Sequence, residues 1–192
     1  MLGLSNALFS SSSSEQKHSL LLDGTDDYLD CGLIDLNTDD VAFSCWVFLK
    51  EWTQYDCVIS NRDDSSDGDG TRLGYQIRTN GTANQIELFS DFGGTTYTTI
   101  ATGIELYKWT HVYCDIDRSA NQNIYINGVH KVNTDISAQV SVDVTTATSF
   151  RVGRNSTHYS NMLVDEVAIF SAVLGADKCK GIYNNGKPFD LN

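Results

Sequence analysis

The residues best equipped to do chemistry in this chain are its carboxylates, which outnumber the basic side chains 25 to 13 and leave a net charge of −12. Two carboxylates at alternate positions of a strand share a face and can work as acid and nucleophile on one glycosidic bond. That spacing is not found in a usable place. Asp165 and Glu166 are adjacent, so a strand turns them to opposite faces. Glu87, in Ile86-Glu87-Leu88-Phe89, has no carboxylate two residues away. Asp115 and Asp117 have the interval, but they fall where a strand runs into a loop. Nucleophile sets fare no better: His111 and Cys114 are three apart and face opposite ways on a strand, and there is no G-x-S-x-G and no phosphate loop. These residues predict a protein that is not an enzyme.

Carboxylates can also hold Ca²⁺, a hard cation that takes oxygen ligands. The loop Asp63-Asp64-Ser65-Ser66-Asp67-Gly68-Asp69-Gly70 opens like an EF-hand, but its twelfth position is Gly74, where a bidentate glutamate is needed. It reads as an acidic hairpin loop. The acidic field repels a phosphate backbone and no Lys/Arg cluster offsets it, which argues against nucleic acid. No apolar run approaches the ~20 residues of a spanning helix, which argues against membrane insertion. Cys31, Cys45, Cys57, Cys114 and Cys179 are odd in number and form no CxxC. They read as buried free thiols.

The elements that must position these groups are strands. Val41–Leu49 has the apolar density of a strand covered on both faces. Tyr75-Gln76-Ile77-Arg78 and Ile86-Glu87-Leu88-Phe89 alternate with period two around Asn80-Gly81, a hairpin signal. Trp109–Ile116, the strand and turn Asn123–His130 with its Asn127-Gly128, Phe150–Gly153 and Met162–Phe170 continue the series. Trp109 and His111 fall on one strand face, with Trp109 expected to fill core volume and His111 to be a hydrogen-bonded structural residue. Only Ala176–Tyr183 reads as helical. The fold class is therefore all-β, an antiparallel two-sheet jelly-roll sandwich with one short C-terminal helix.

Five ordered motifs carry a family resemblance. They are Leu20-Leu21-Leu22-Asp23-Gly24-Thr25-Asp26-Asp27-Tyr28-Leu29, Phe43-Ser44-Cys45-Trp46-Val47, Lys108-Trp109-Thr110-His111-Val112, Ile124-Tyr125-Ile126-Asn127-Gly128, and Val164-Asp165-Glu166-Val167-Ala168-Ile169-Phe170 with Ile182-Tyr183-Asn184-Asn185-Gly186. Together they resemble the laminin-G-like domains of the concanavalin A-like lectin/glucanase superfamily, as found in stand-alone phage virion proteins. The resemblance implies one concave and one convex sheet. It also implies a structural calcium ion tying the first strand to the last, with Asp165 and Asp23 as carboxylate ligands.

Two parts are expected: an arm, residues 1–18, and the jelly-roll, residues 19–192. The arm carries Leu2, Leu4, Leu8 and Phe9 ahead of a serine run and reads as a docking segment for other virion subunits or a second copy of the chain. Trp52, Tyr55, Tyr97 and Tyr159 lie near loops and are the expected glycan-binding aromatics. The function expected is a binding and structural module on a virion (bacteriophage) surface that contacts host glycans. The alternative is a secreted, calcium-dependent lectin, in which Asn80-Gly81-Thr82 and Asn155-Ser156-Thr157 would serve as glycosylation sequons.

Overall fold

The computed structural model describes residues 19–63, 72–156 and 158–186. Leu2, Leu4, Leu8 and Phe9, and most of the Asp63–Gly70 loop, lie outside the described residues. In chain order the elements are β1 (Leu20–Asp23), β2 (Leu29–Asp30), β3 (Val41–Leu49), β4 (Gln54–Ser60), β5 (Leu73–Asn80), β6 (Gln85–Phe92), β7 (Thr96–Thr102), β8 (Trp109–Ile116), β9 (Asn121–Ile126), β10 (Val129–Asp135), β11 (Arg151–Val152), β12 (Asn161–Phe170) and the helix α1 (Gly175–Tyr183).

The strands form two six-stranded sheets, ordered β1-β12-β3-β8-β9-β10 and β2-β11-β4-β5-β6-β7. All the strand pairings within them are antiparallel. The alternation seen in sequence explains the layering. Phe43, Cys45 and Val47 of β3 and Val112, Cys114 and Ile116 of β8 meet Tyr75, Ile77, Ile86 and Leu88 of the second sheet in one buried core. Asn127 (φ 52°) and Gly128 (φ 72°) form the β9–β10 turn with positive φ at both centres, the two-residue geometry that matches strand twist.

The density of β3 is explained by a second, smaller core. Ala42, Tyr113, Tyr125 and Cys179 pack on the outer side of the first sheet beneath α1. There the Trp46 ring stacks on Tyr183 with centroids 5.7 Å apart and lies 5.3 Å from His111. Trp109 does share a face with His111, but that face is the outer one. It is half-buried against Phe48 rather than between the sheets. The strands β4 and β7, which lie outside the series expected from sequence, complete the second sheet.

Candidate functional site

The second sheet turns an unusual set of side chains away from the core. Because Gln76 pairs with Phe89 and Arg78 with Glu87 across β5 and β6, these residues and Asp91 share the face opposite Ile77 and Leu88. Arg78 is salt-bridged to Glu87 and donates to Gln76 Oε1 at 2.7 Å. Arg62 forks onto Asp91 Oδ2 at 2.8 and 3.1 Å. The Phe89 ring lies under both guanidiniums, 4.2 Å from Arg78 Cζ and 5.1 Å from Arg62 Cζ. Glu87 and Asp91 therefore do share a strand face, four residues apart rather than two. Each carboxylate is bound by an arginine, and Phe89 stands between them.

This ladder leads to a cluster of aromatic residues at one end of the sheet. Tyr55 sits in a bulged part of β4, where the register shifts between Gln54 and Cys57, and its φ of 69° is in the left-handed region. The bulge turns the Tyr55 ring onto Arg78, whose Cζ is 4.7 Å from its centroid, and onto the His158 ring at 6.2 Å. Beside it, Tyr28 and Tyr159, with ring centroids 6.0 Å apart, both pack against Arg154, whose Cζ lies 4.8 Å from each centroid. Tyr28 is 40% and Tyr55 37% exposed, so both rings present apolar surface to solvent.

The loop that carries Arg154, His158 and Tyr159 is tied down by short-range bonds. Ser160 Oγ accepts from Cys57 N at 2.8 Å and donates to Cys57 O at 2.9 Å. His158 N donates to Asn155 Oδ1 at 2.9 Å, and Asn155 Nδ2 donates to Tyr55 O at 3.1 Å. Asn155 is only 5% exposed and its amide holds the site together, which is not the setting of a glycosylation acceptor. Gly153 lets the loop pass over the core: a Cβ there would stand 2.5 Å from Leu22 Cδ1, and its φ is 84°.

Of the four aromatics expected at a ligand site, Tyr55 and Tyr159 come together here. Trp52 and Tyr97 do not: both are partly buried and pack against the main core. Tyr97 stands edge-on to Phe92 at 5.8 Å and accepts a hydrogen bond from Gln139 Nε2 at 3.2 Å. Core demand for aromatic volume explains the difference. Tyr28, Arg78, Arg154 and His158 were missed. The alternating polar residues of β5 and β6 around Asn80-Gly81 did signal the ladder, but nothing local links Tyr28 to Tyr159.

The calcium ligand pair needs correcting on geometry. Asp23 pairs with Asn161, and Leu20 with Val164, so Asp165 lies beyond the far end of β1, roughly 13 Å along the strand from Asp23. Asp165 Oδ1 accepts from Glu166 N at 2.8 Å within a bulge of β12. The carboxylates that do meet are Asp23, Asp26 and Asp27, with oxygens within 4.8 Å of one another on exposed side chains. Three hard oxygen donors fit Ca²⁺ better than any transition metal. Asp23 Oδ1 also accepts from Thr25 N at 2.7 Å, the bond of an ordinary acidic turn.

A model of the laminin-G type within the concanavalin A-like lectin/glucanases superfamily matches residues 23–179. The chain belongs to this superfamily. No curated protein matches this lectin-like chain in sequence. Solved structures match it in fold. The receptor binding domain of botulinum neurotoxin D aligns with a TM-score of 0.66 at 15% identity, over 89% of this chain and 46% of that one. The serotype G binding domain aligns at 0.62 and 16%, over 88% and 47%. Domain 4 of AbnA, an extracellular GH43 arabinanase from Geobacillus stearothermophilus solved with arabinotriose, aligns at 0.66 and 20%, over 93% and 84%. The chain spans less than half the length of these toxin domains, and identities of this size carry the fold alone. Among the described residues no helix is long and apolar enough to cross a membrane.

Proposed function

We propose that this protein is a non-catalytic glycan-binding module whose site is the aromatic end of the second sheet. The supporting observation is the convergence of Tyr28, Tyr55 and Tyr159, from three separate segments, around the planar groups of Arg78, Arg154 and His158. Sugar rings offer apolar C–H faces and in-plane hydroxyls, so a site needs exposed aromatic surface beside fixed donors and acceptors. The arginine–carboxylate ladder behind Tyr55 supplies rigidity. Superfamily membership and the neighbour solved with arabinotriose agree with this reading. Asp23, Asp26 and Asp27, just before Tyr28, would hold calcium as a structural ion and fix the loop carrying that ring.

A glycan array with the full chain tests the reading, with Tyr55→Ala as control and with the bound sugars recovered for analysis. Binding that is lost on Tyr55→Ala, with the sugars recovered intact, is expected. Hydrolysed sugar, or binding indifferent to Tyr55, overturns it.

For the setting, we propose a virion surface, with residues 1–18 anchoring the domain to other virion subunits or to a second copy. The support is that residues 1–22 lie outside the family match and that β1, which follows the arm, is an edge strand of the first sheet. Light scattering of the full chain and of a chain lacking residues 1–18 should differ in mass. Equal monomer masses, with no binding to particles, remove the anchor.

A further inference from the structure

We infer that Arg154 is the anion-recognition point of this site and that its ligand is a carboxylate-bearing sugar, such as a uronic or sialic acid. This rests on the glycan-binding reading and names the class of glycan. Among the described residues four arginines lie over aromatic rings: Arg62, Arg78, Arg118 and Arg154. Three of them have acceptors in their own plane. Arg62 has Asp91, Arg78 has Glu87 and Gln76, and Arg118 has Tyr75 Oη at 3.2 Å and the carbonyls of Gln139 and Val142 at 2.5 and 2.6 Å. Arg154 has none among the described residues; its Nε is buried without a partner, as is that of Arg118, whose other guanidinium nitrogens are bonded.

The two tyrosine rings, with centroids 6.0 Å apart, stand too close together to cover opposite faces of this guanidinium, and its in-plane N–H groups meet no acceptor among the described residues. Ring faces attract a cation but accept none of its in-plane N–H donors. A part-buried cation left in that state costs free energy unless something docks on it. Its planar fork matches a carboxylate bidentately. Packed against both Tyr28 and Tyr159, the guanidinium is already oriented, so little side-chain freedom is lost on binding.

The flanking groups narrow the class further. The exposed face of Tyr28 offers a platform for a sugar ring whose carboxylate meets Arg154. Asp23, Asp26 and Asp27 precede Tyr28, and the whole chain carries −12, so a polyanion is repelled more than a single carboxylate. A sulfated polysaccharide is therefore the disfavoured acidic glycan.

Calorimetry on the full chain tests this with trigalacturonate, its methyl ester, sialyllactose, lactose and dextran sulfate. The ester keeps the sugar rings and removes the charge. An acidic sugar is expected to bind roughly ten- to a hundredfold tighter than its neutral counterpart, the range of a charged hydrogen-bonded contact. Arg154→Gln should erase that preference. Arg154→Lys should recover little of it, because a point charge does not chelate. Circular dichroism of each variant checks the fold, and Tyr159→Leu, which removes one of the two rings packed on Arg154 and keeps Arg154 itself, should lower the preference by itself. Equal binding of acid and ester, or a preference that survives Arg154→Gln, overturns the assignment and leaves the glycan module standing. Tightest binding to dextran sulfate overturns the carboxylate. No binding to any of the five overturns the carboxylate assignment, and the glycan array then decides the module.

Discussion

His111 offers a test of the outer core that can be worked through in numbers. Its side chain is fully buried beneath α1, Nε2 is 2.9 Å from Ser44 Oγ, and Nδ1 has no partner among the described residues. Burial lowers its pKa from 6.5 to about 4. The unfolded chain therefore takes up this proton at a higher pH than the folded chain does. The stability linked to His111 is intact above pH 6.5 and is lost as the pH falls from 6.5 to about 4. At about 1.36 kcal/mol per pH unit, the full loss is roughly 3 kcal/mol, most of it already present at about pH 4.5. Burial raises the pKa of Asp56 and Asp115, and raised carboxylates act with the opposite sign, so the wild-type curve alone is ambiguous. The test is the difference between wild type and His111→Gln, which keeps a polar contact to Ser44 and cannot ionise. Urea unfolding at pH 7 and 4.5 should show a wild-type loss roughly 2–3 kcal/mol larger than the variant's. Identical slopes, or an NMR titration that places His111 near 6.5, would refute a buried neutral imidazole.

The remaining predictions separate site from scaffold. Tyr28→Ala and Tyr55→Ala should weaken glycan binding while melting within a few degrees of wild type, whereas Tyr97→Ala, which opens the core beside Phe92, should cost roughly 2–4 kcal/mol in chemical denaturation. Gly153→Ala places a Cβ 2.5 Å from Leu22 Cδ1 at positive φ and should destabilise by roughly 2–3 kcal/mol, read as a lowered unfolding midpoint with an unchanged m-value. Calcium at about a hundred times its Kd should raise the melting temperature by roughly 5 °C or more, and EDTA or the Asp26→Asn variant should cancel the rise. If the melting curve is the same with calcium and with EDTA, the Asp23, Asp26 and Asp27 cluster is only an acidic turn.

The local rules of the chain determined its architecture. Period-two alternation made the strands, Asn127-Gly128 made a twisted two-residue turn, and the continuous apolar run of β3 announced burial on both faces. Five spaced motifs were enough for the superfamily, because each records a local constraint that survives when read alone. Tertiary structure decided where those strands set their side chains. Tyr28 and Tyr159 are far apart in sequence and meet only because β2 and β11 pair at the edge of the second sheet. Asp23 and Asp165 look like partners in sequence, and antiparallel register separates them. Trp52 and Tyr55 are three residues apart, yet a bulge in β4 turns Tyr55 to the site while Trp52 packs on the core. Which aromatic becomes core and which becomes platform depends on register and bulges, and those are fixed by packing two sheets against each other rather than by any window of the chain.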